Sequence, residues 1–154
     1  MNLPLYTAAT NFRVDDSDWM TKHLHVHPRS VITEFRYMRI GNGTNLEIFE
    51  YVAPDQANTP PKNSDIGGHH LALYVDDMDA AIQFLKDNDV EILGEPTAYD
   101  DGPNIGLTWC YFMAPWGLQL EIVSAPNGTD FDNAAKANGE MRLFNPAHAS
   151  ETLI

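Results

Sequence analysis

One pattern occurs twice in this chain, and both copies end in a glutamate. The first is Tyr37-Met38-Arg39-Ile40-Gly41-Asn42-Gly43-Thr44-Asn45-Leu46-Glu47-Ile48, and the second is Tyr111-Phe112-Met113-Ala114-Pro115-Trp116-Gly117-Leu118-Gln119-Leu120-Glu121-Ile122. Tyr, Gly, Leu, Glu and Ile recur at one offset of 74 residues, the separation of Tyr37 from Tyr111 and of Glu47 from Glu121. Each copy reads as a strand, a tight glycine turn and a second strand. The glutamate interrupts an apolar strand, where an unpaired carboxylate is costly to bury. Two such carboxylates in matching places point to a metal site between two halves of one fold.

The bulk properties narrow the function classes. A chain of 154 residues is one ordinary domain with room for a core. With 9 basic against 22 acidic side chains the formal charge is −13, spread along the chain. Such a field repels nucleic acid and anionic membrane, which leaves a small molecule as the expected partner. No apolar run approaches the roughly 20 residues of a membrane span, and no secretory leader is read ahead of the first polar residues. The single cysteine, Cys110, excludes an internal disulfide and fits a reducing compartment, so a cytoplasmic protein is expected. Cys110 lies in an apolar strand and reads as an inert core thiol. Asn42-Gly43-Thr44 and Asn127-Gly128-Thr129 match the glycosylation pattern but read as turns.

Along the chain, Leu3 to Thr7 can form a strand, and Trp19 to Val26 a short helix capped by Ser17 or Asp18 and stopped by Pro28. Val31 to Ile40 and Asn45 to Val52 form a hairpin. Ala53 to Ile66, with Pro54, Pro60 and Pro61, reads as a linker. Gly67-Gly68 opens a strand over His69 to Val75. Asp76 or Asp77 caps a helix with Met78, Ala81, Ile82 and Leu85 on one face, ended by Asn88 and Asp89. Val90 to Leu93 is a further short strand, and Leu107 to Met113 with Leu118 to Ser124 is the second hairpin. Trp109, Phe112 and Trp116 read as core or cleft wall. After Pro126 the chain is rich in Asn, Ala and Gly and reads as a tail that wraps the surface or a partner subunit, with His148 exposed.

Gly67-Gly68-His69-His70-Leu71-Ala72-Leu73-Tyr74-Val75-Asp76-Asp77 and Ala114-Pro115-Trp116-Gly117-Leu118-Gln119-Leu120-Glu121 together resemble the vicinal oxygen chelate superfamily. That group holds glyoxalase I, methylmalonyl-CoA epimerase, extradiol dioxygenases and bleomycin-resistance proteins. The resemblance covers roughly residues 3 to 124, more strongly in the second half. It implies an α+β fold of paired βαβββ modules forming an incomplete barrel-like sheet. Residues 1–124 would be one glyoxalase-like domain, with 1–53 a partial first module, 67–124 the second, and 125–154 a C-terminal tail. It further implies a divalent ion (Zn, Ni, Co, Mn or Fe) held by Glu47, His70 and Glu121 on adjacent strands of one concave sheet. His70 is chosen over His69 because it directly precedes Leu71-Ala72-Leu73. Carried back by the repeat offset, His70 has no counterpart in the chain, and Leu3-Pro4-Leu5-Tyr6 aligns instead with Glu91-Ile92-Leu93-Gly94. The first module is therefore expected to lack its opening strand and helix, and with them a fourth ligand. His23, His25 and His27 can replace it only if that stretch is extended, since on a helix they face apart.

The chemistry implied is that of a glyoxalase-type lyase, isomerase or epimerase. It would act on a small carbonyl or hydroxy-carbonyl compound through a metal-bound enediolate, with Glu121 as ligand and base and Glu47 facing it across the ion. An iron-dependent ring-cleaving dioxygenase is the alternative, and a non-catalytic, drug-sequestering binder the third. A homodimer is expected, because the first module's strands lack cover. Gly41-Asn42-Gly43 is a hairpin turn and Gly67-Gly68 opens a strand, so neither is a phosphate loop.

Overall fold

The computed structural model describes residues 17–40 and 44–140, an α+β chain in two compact units, Met1–Thr59 and Pro60–Ile154. The expected strand at Leu3 to Thr7, the turn at Gly41-Asn42-Gly43 and His148 lie outside the described residues.

In the first unit a helix, α1 (Ser17–Leu24), precedes two strands, β1 (Val31–Ile40) and β2 (Thr44–Val52). The helix ends at His25, whose φ of 55° cannot continue it, and Pro28 follows. β1 and β2 pair antiparallel, with one irregularity between Ile32 and Glu34. Phe35 opposes Phe49 and Tyr37 opposes Glu47, so these four side chains share one face. The rings form a cross-strand cluster: Phe35 meets Phe49 at 4.6 Å and Tyr37 edge-on at 4.4 Å. Met38 opposite Leu46 and Arg36 opposite Ile48 make the other face, where Arg36 pairs with Glu34.

The second unit runs β3 (Leu71–Tyr74), α2 (Met78–Asp87), β4 (Thr97–Ala98), β5 (Thr108–Met113), β6 (Gln119–Ser124) and α3 (Asp130–Ala137). Its sheet is ordered β3-β6-β5-β4, with β3 parallel to β6 and the other pairs antiparallel. The parallel pairing needs a crossover, and α2 supplies it. Asp77 caps that helix by accepting from the Ala80 N–H at 2.9 Å, and Asn88 closes it. Ile82 and Leu85 press onto one sheet face against Val75, Cys110, Phe112 and Ile122. Full burial of each large aliphatic is worth about 1.5–3 kcal/mol, so this cluster carries much of the unit's stability. The βαβββ expectation holds here, and among the described residues the sheets are open, with four strands in this unit and two in the first.

Two elements differ from expectation. Val90 to Leu93 forms no ladder beyond the single bridge Ile92 to Phe112, and strand pairing resumes only at β4. Pro96 intervenes and has no N–H to give a ladder. Beyond Pro126 the chain forms α3. Its first N–H groups are satisfied from outside the helix: Asp130 donates to the Ile105 carbonyl at 3.0 Å, Phe131 to that of Pro103 at 2.9 Å, and Asp132 to the Thr129 hydroxyl at 3.1 Å.

Candidate active site

The sheet of the second unit has two faces, and strand alternation assigns each side chain to one of them. Cys110, Phe112, Leu120 and Ile122 take the core face. Tyr111 opposite Glu121, Met113 opposite Gln119 and Trp109 opposite Val123 take the other. Ala72 is level with Glu121 across the parallel pair, so His70, two residues earlier, comes onto the face that carries Glu121.

Glu121 is only 9% exposed. A carboxylate this buried needs a hydrogen-bond donor. His70 provides it, with Nε2 at 3.1 Å from Glu121 Oε2. The neighbouring Tyr111 ring meets the His70 ring edge-on, centroids 5.3 Å apart and planes at 90°. Burial, then the Glu121 charge and then Tyr99 push the Tyr111 phenol above its ordinary value. Tyr99 packs on Trp109 at 4.4 Å and extends the aromatic surface. The result is an acid–base pair, half in contact with solvent at His70, set on an aromatic floor.

The other candidates are placed as follows. His69 turns away and donates from Nδ1 to the Gly67 carbonyl at 3.0 Å. Glu47 is exposed on β2 and bonded to the hydroxyl of Tyr37, whose proton is held more tightly through desolvation, the Glu47 charge and that bond. Among the described residues, β2 pairs only with β1. Glu47 therefore belongs to the two-stranded sheet and not, as expected, to one sheet shared with His70 and Glu121. His23 lies in α1, stacked on Trp19 at 4.6 Å and bonded to its carbonyl. His27 instead accepts from the Arg29 N–H at 3.0 Å. His23 and His27 are thus engaged locally and His25 turns the chain at the helix exit, so the three are not gathered on an extended face. Cys110 is buried with its thiol pushed up by burial, as befits an inert core thiol. Trp116, read as core or cleft wall, is 56% exposed in the β5–β6 turn. Tyr111, noted in the repeat, and Gln119 were not assigned to the site from sequence. The signal was present, because alternation from Glu121 and its hairpin partner puts both on the same face.

Within neither unit do the described residues gather three or more His, Cys, Asp or Glu side chains in position to hold a metal ion. The His70–Glu121 pair nonetheless suits two positions around one. Ligands about 2.1 Å from an ion stand roughly 3.0–3.4 Å apart, from right-angle to tetrahedral geometry. The observed separation of 3.1 Å falls in that range. An imidazole with a carboxylate is a donor set for borderline or hard divalent ions.

Comparison with known proteins adds an independent line. Residues 6–111 match the family described as the Glyoxalase/Bleomycin resistance protein/Dioxygenase superfamily. A protein named 2-epi-5-epi-valiolone epimerase, from an Actinomyces species, is 45% identical over 130 residues, covering 84% of this chain and 68% of its own length. The chain therefore spans about two thirds of that relative. Among solved structures, a glyoxalase family protein from Enterococcus faecalis is similar at 26% identity and a TM-score of 0.46, covering 58% of this chain and 66% of that one. A second, SMU.1112c, is 25% identical at a TM-score of 0.46, covering 71% and 90%.

Proposed function

The chain belongs to the Glyoxalase/Bleomycin resistance protein/Dioxygenase superfamily, and we propose that it is an epimerase acting on 2-epi-5-epi-valiolone or a close hydroxy-carbonyl relative of it. The observation that carries this reading is the buried Glu121 carboxylate bonded to His70 on an accessible sheet face, in a chain 45% identical to a protein of that activity.

Inverting a carbon beside a carbonyl requires removing its proton and returning one to the opposite face. Glu121 is assigned the removal, and the proton returned to the opposite face comes from solvent. Its carboxylate lies largely out of bulk water, and the bond from His70 keeps it oriented for proton transfer. The Tyr111 and Trp109 rings exclude water beside the pair and give the substrate's carbon skeleton an apolar surface. His70 and Glu121 would hold a divalent ion. Such an ion, when bound, supplies Lewis acidity that polarises the substrate carbonyl. Metal analysis of the purified protein tests the ligand assignment: stoichiometric Zn, Ni, Co, Mn or Fe supports it, and no binding when those ions are added refutes it.

The activity itself is tested by incubating the protein with 2-epi-5-epi-valiolone and following the stereocentres by NMR while an oxygen electrode records uptake. One inverted centre with no oxygen consumed supports the epimerase. Stoichiometric oxygen consumption would move the assignment to a dioxygenase. Binding without conversion would move it to a sequestering protein.

A further inference from the structure

A second feature sits beside Glu121 in the same unit. Where the open sheet face meets the β5–β6 turn there is a cavity of about 440 Å³, lined by Pro60, Lys62, Asn63, Met113, Gly117 and Gln119. Gln119 is two residues before Glu121 on β6 and shares its face, so the two are about 6.7 Å apart along the strand. We propose that this cavity is the hydroxyl-recognising part of the substrate site, taking the polyhydroxylated portion of a small carbonyl compound whose reacting carbon lies at Glu121. The proposal rests on the epimerase reading for the second half of that statement.

The amide chemistry carries the argument. Asn63 Nδ2 donates to Gln119 Oε1 at 2.9 Å. An amide pair joined by one such bond keeps an NH₂ group and a carbonyl in reserve, whichever way the two amides are turned. Among the described residues those groups make no other hydrogen bond. A hydroxyl both donates and accepts, so it is the natural complement of an adjacent NH₂ and carbonyl. Lys62 adds three N–H donors and makes no ion pair among the described residues. Pro60 and Met113 offer apolar wall to C–H groups.

The cavity is also pre-built, which spares ordering cost on binding. The segment carrying Asn63 is folded back by three bonds: Lys62 N–H to Asp65 Oδ2 at 2.9 Å, Asp65 N–H to the Lys62 carbonyl at 2.9 Å, and Gly68 N–H to the Asp65 carbonyl at 2.8 Å. Gly68 is required there, since a Cβ would stand 2.0 Å from the Lys62 carbonyl oxygen. Pro60 seats on Gly117, where a Cβ would come within 2.5 Å of its ring.

The test compares wild type with Gln119→Leu and Asn63→Leu, using 2-epi-5-epi-valiolone both as assay substrate and as calorimetric ligand. Losing one neutral hydrogen bond should raise KM and Kd about three- to tenfold, with kcat within about twofold. Turnover with unchanged KM and Kd in both folded variants overturns the cavity assignment and leaves the epimerase reading standing. Binding without turnover, weakened in both variants, does the reverse. Neither binding nor turnover in the wild type overturns the assignment. Asn63 is exposed in a loop, so Asn63→Leu decides the matter should Gln119→Leu fail to fold.

Discussion

Replacing Glu121 by Gln removes a charge and keeps the shape. In the folded chain the carboxylate is 9% exposed and accepts from His70 at 3.1 Å, a bond the Gln carbonyl oxygen can also accept. A charge-assisted bond becomes a neutral one, at a cost of about 1 kcal/mol, offset in part because no charge is then buried. The melting midpoint should move by no more than about 2–4 °C for a domain of this size. Turnover should fall much further. A positioned general base contributes about 10²–10⁴ in rate, or roughly 2.7–5.4 kcal/mol of barrier. The same substitution has a spectroscopic mark. Burial is the largest cause holding the Tyr111 phenol above its ordinary value, and the Glu121 charge is the next. In Glu121→Gln the Tyr111 titration should therefore move down towards the ordinary phenol value and stop above it. Stopped-flow or NMR kinetics, with tyrosinate absorbance referenced to Tyr111→Phe, measures both. A folded variant that keeps turnover within tenfold, or leaves Tyr111 unmoved, refutes the reasoning.

Three further outcomes follow from named contacts. Thr129 is 2% exposed and Asp132 is fully buried, and the Thr129 hydroxyl donates to the Asp132 carboxylate at 3.0 Å while accepting its N–H. Thr129→Ala should cost about 2–4 kcal/mol, from a lost cap and a charged acceptor losing a donor, seen as a lower urea midpoint at unchanged slope; a loss under about 0.5 kcal/mol contradicts the contact's role. Cys110 and Tyr37, Tyr74 and Tyr111 all hold their protons more tightly in the fold than ordinarily. Their contribution is complete below the ordinary values of 9.0 for the thiol and 10.0 for the phenol and is lost as pH rises through the folded values, so the melting midpoint should fall on that alkaline side. Cys110→Ala should make the first part of that fall shallower, and a midpoint indifferent to pH beyond 10.0 would count against these shifts. Val31 and Val52 are 57% and 55% exposed on the first unit's hairpin, and Phe49 is exposed with them. Sedimentation at micromolar concentration should give a homodimer that covers them, and a stable monomer would remove that expectation.

The repeat was legible because hairpin register carries it into space. Tyr37 opposes Glu47 and Tyr111 opposes Glu121, the same pairing at the same offset, since a turn and an alternating apolar set leave a strand one register. α2 was legible for a related reason: its apolar residues fall at helical spacing between an Asp cap and an Asn stop. α3 was not, because its apolar stripe is slight: Phe131 is the only large apolar side chain, joined at helical spacing by Ala134 and Ala135. Its mark was Thr129 three residues before Asp132, a capping pair whose acid is one methylene shorter than the usual Glu. The run Val90 to Leu93 was over-read, since an apolar stretch says nothing of whether a partner strand continues alongside it. In the site, the alternation that puts Glu121 on the open face also puts Gln119 there. The hydrogen bond from Asn63, 56 positions away, belongs to tertiary folding alone.

The central claim is that Glu121 takes a proton from the substrate carbon and that a proton is returned to the opposite face. Running the conversion of 2-epi-5-epi-valiolone in D₂O and reading the product by NMR tests this directly. The account predicts deuterium at the inverted carbon and at no other, with the exchange lost in Glu121→Gln. An inverted product that retains its original hydrogen, or exchange that persists at full rate in Glu121→Gln, would contradict it.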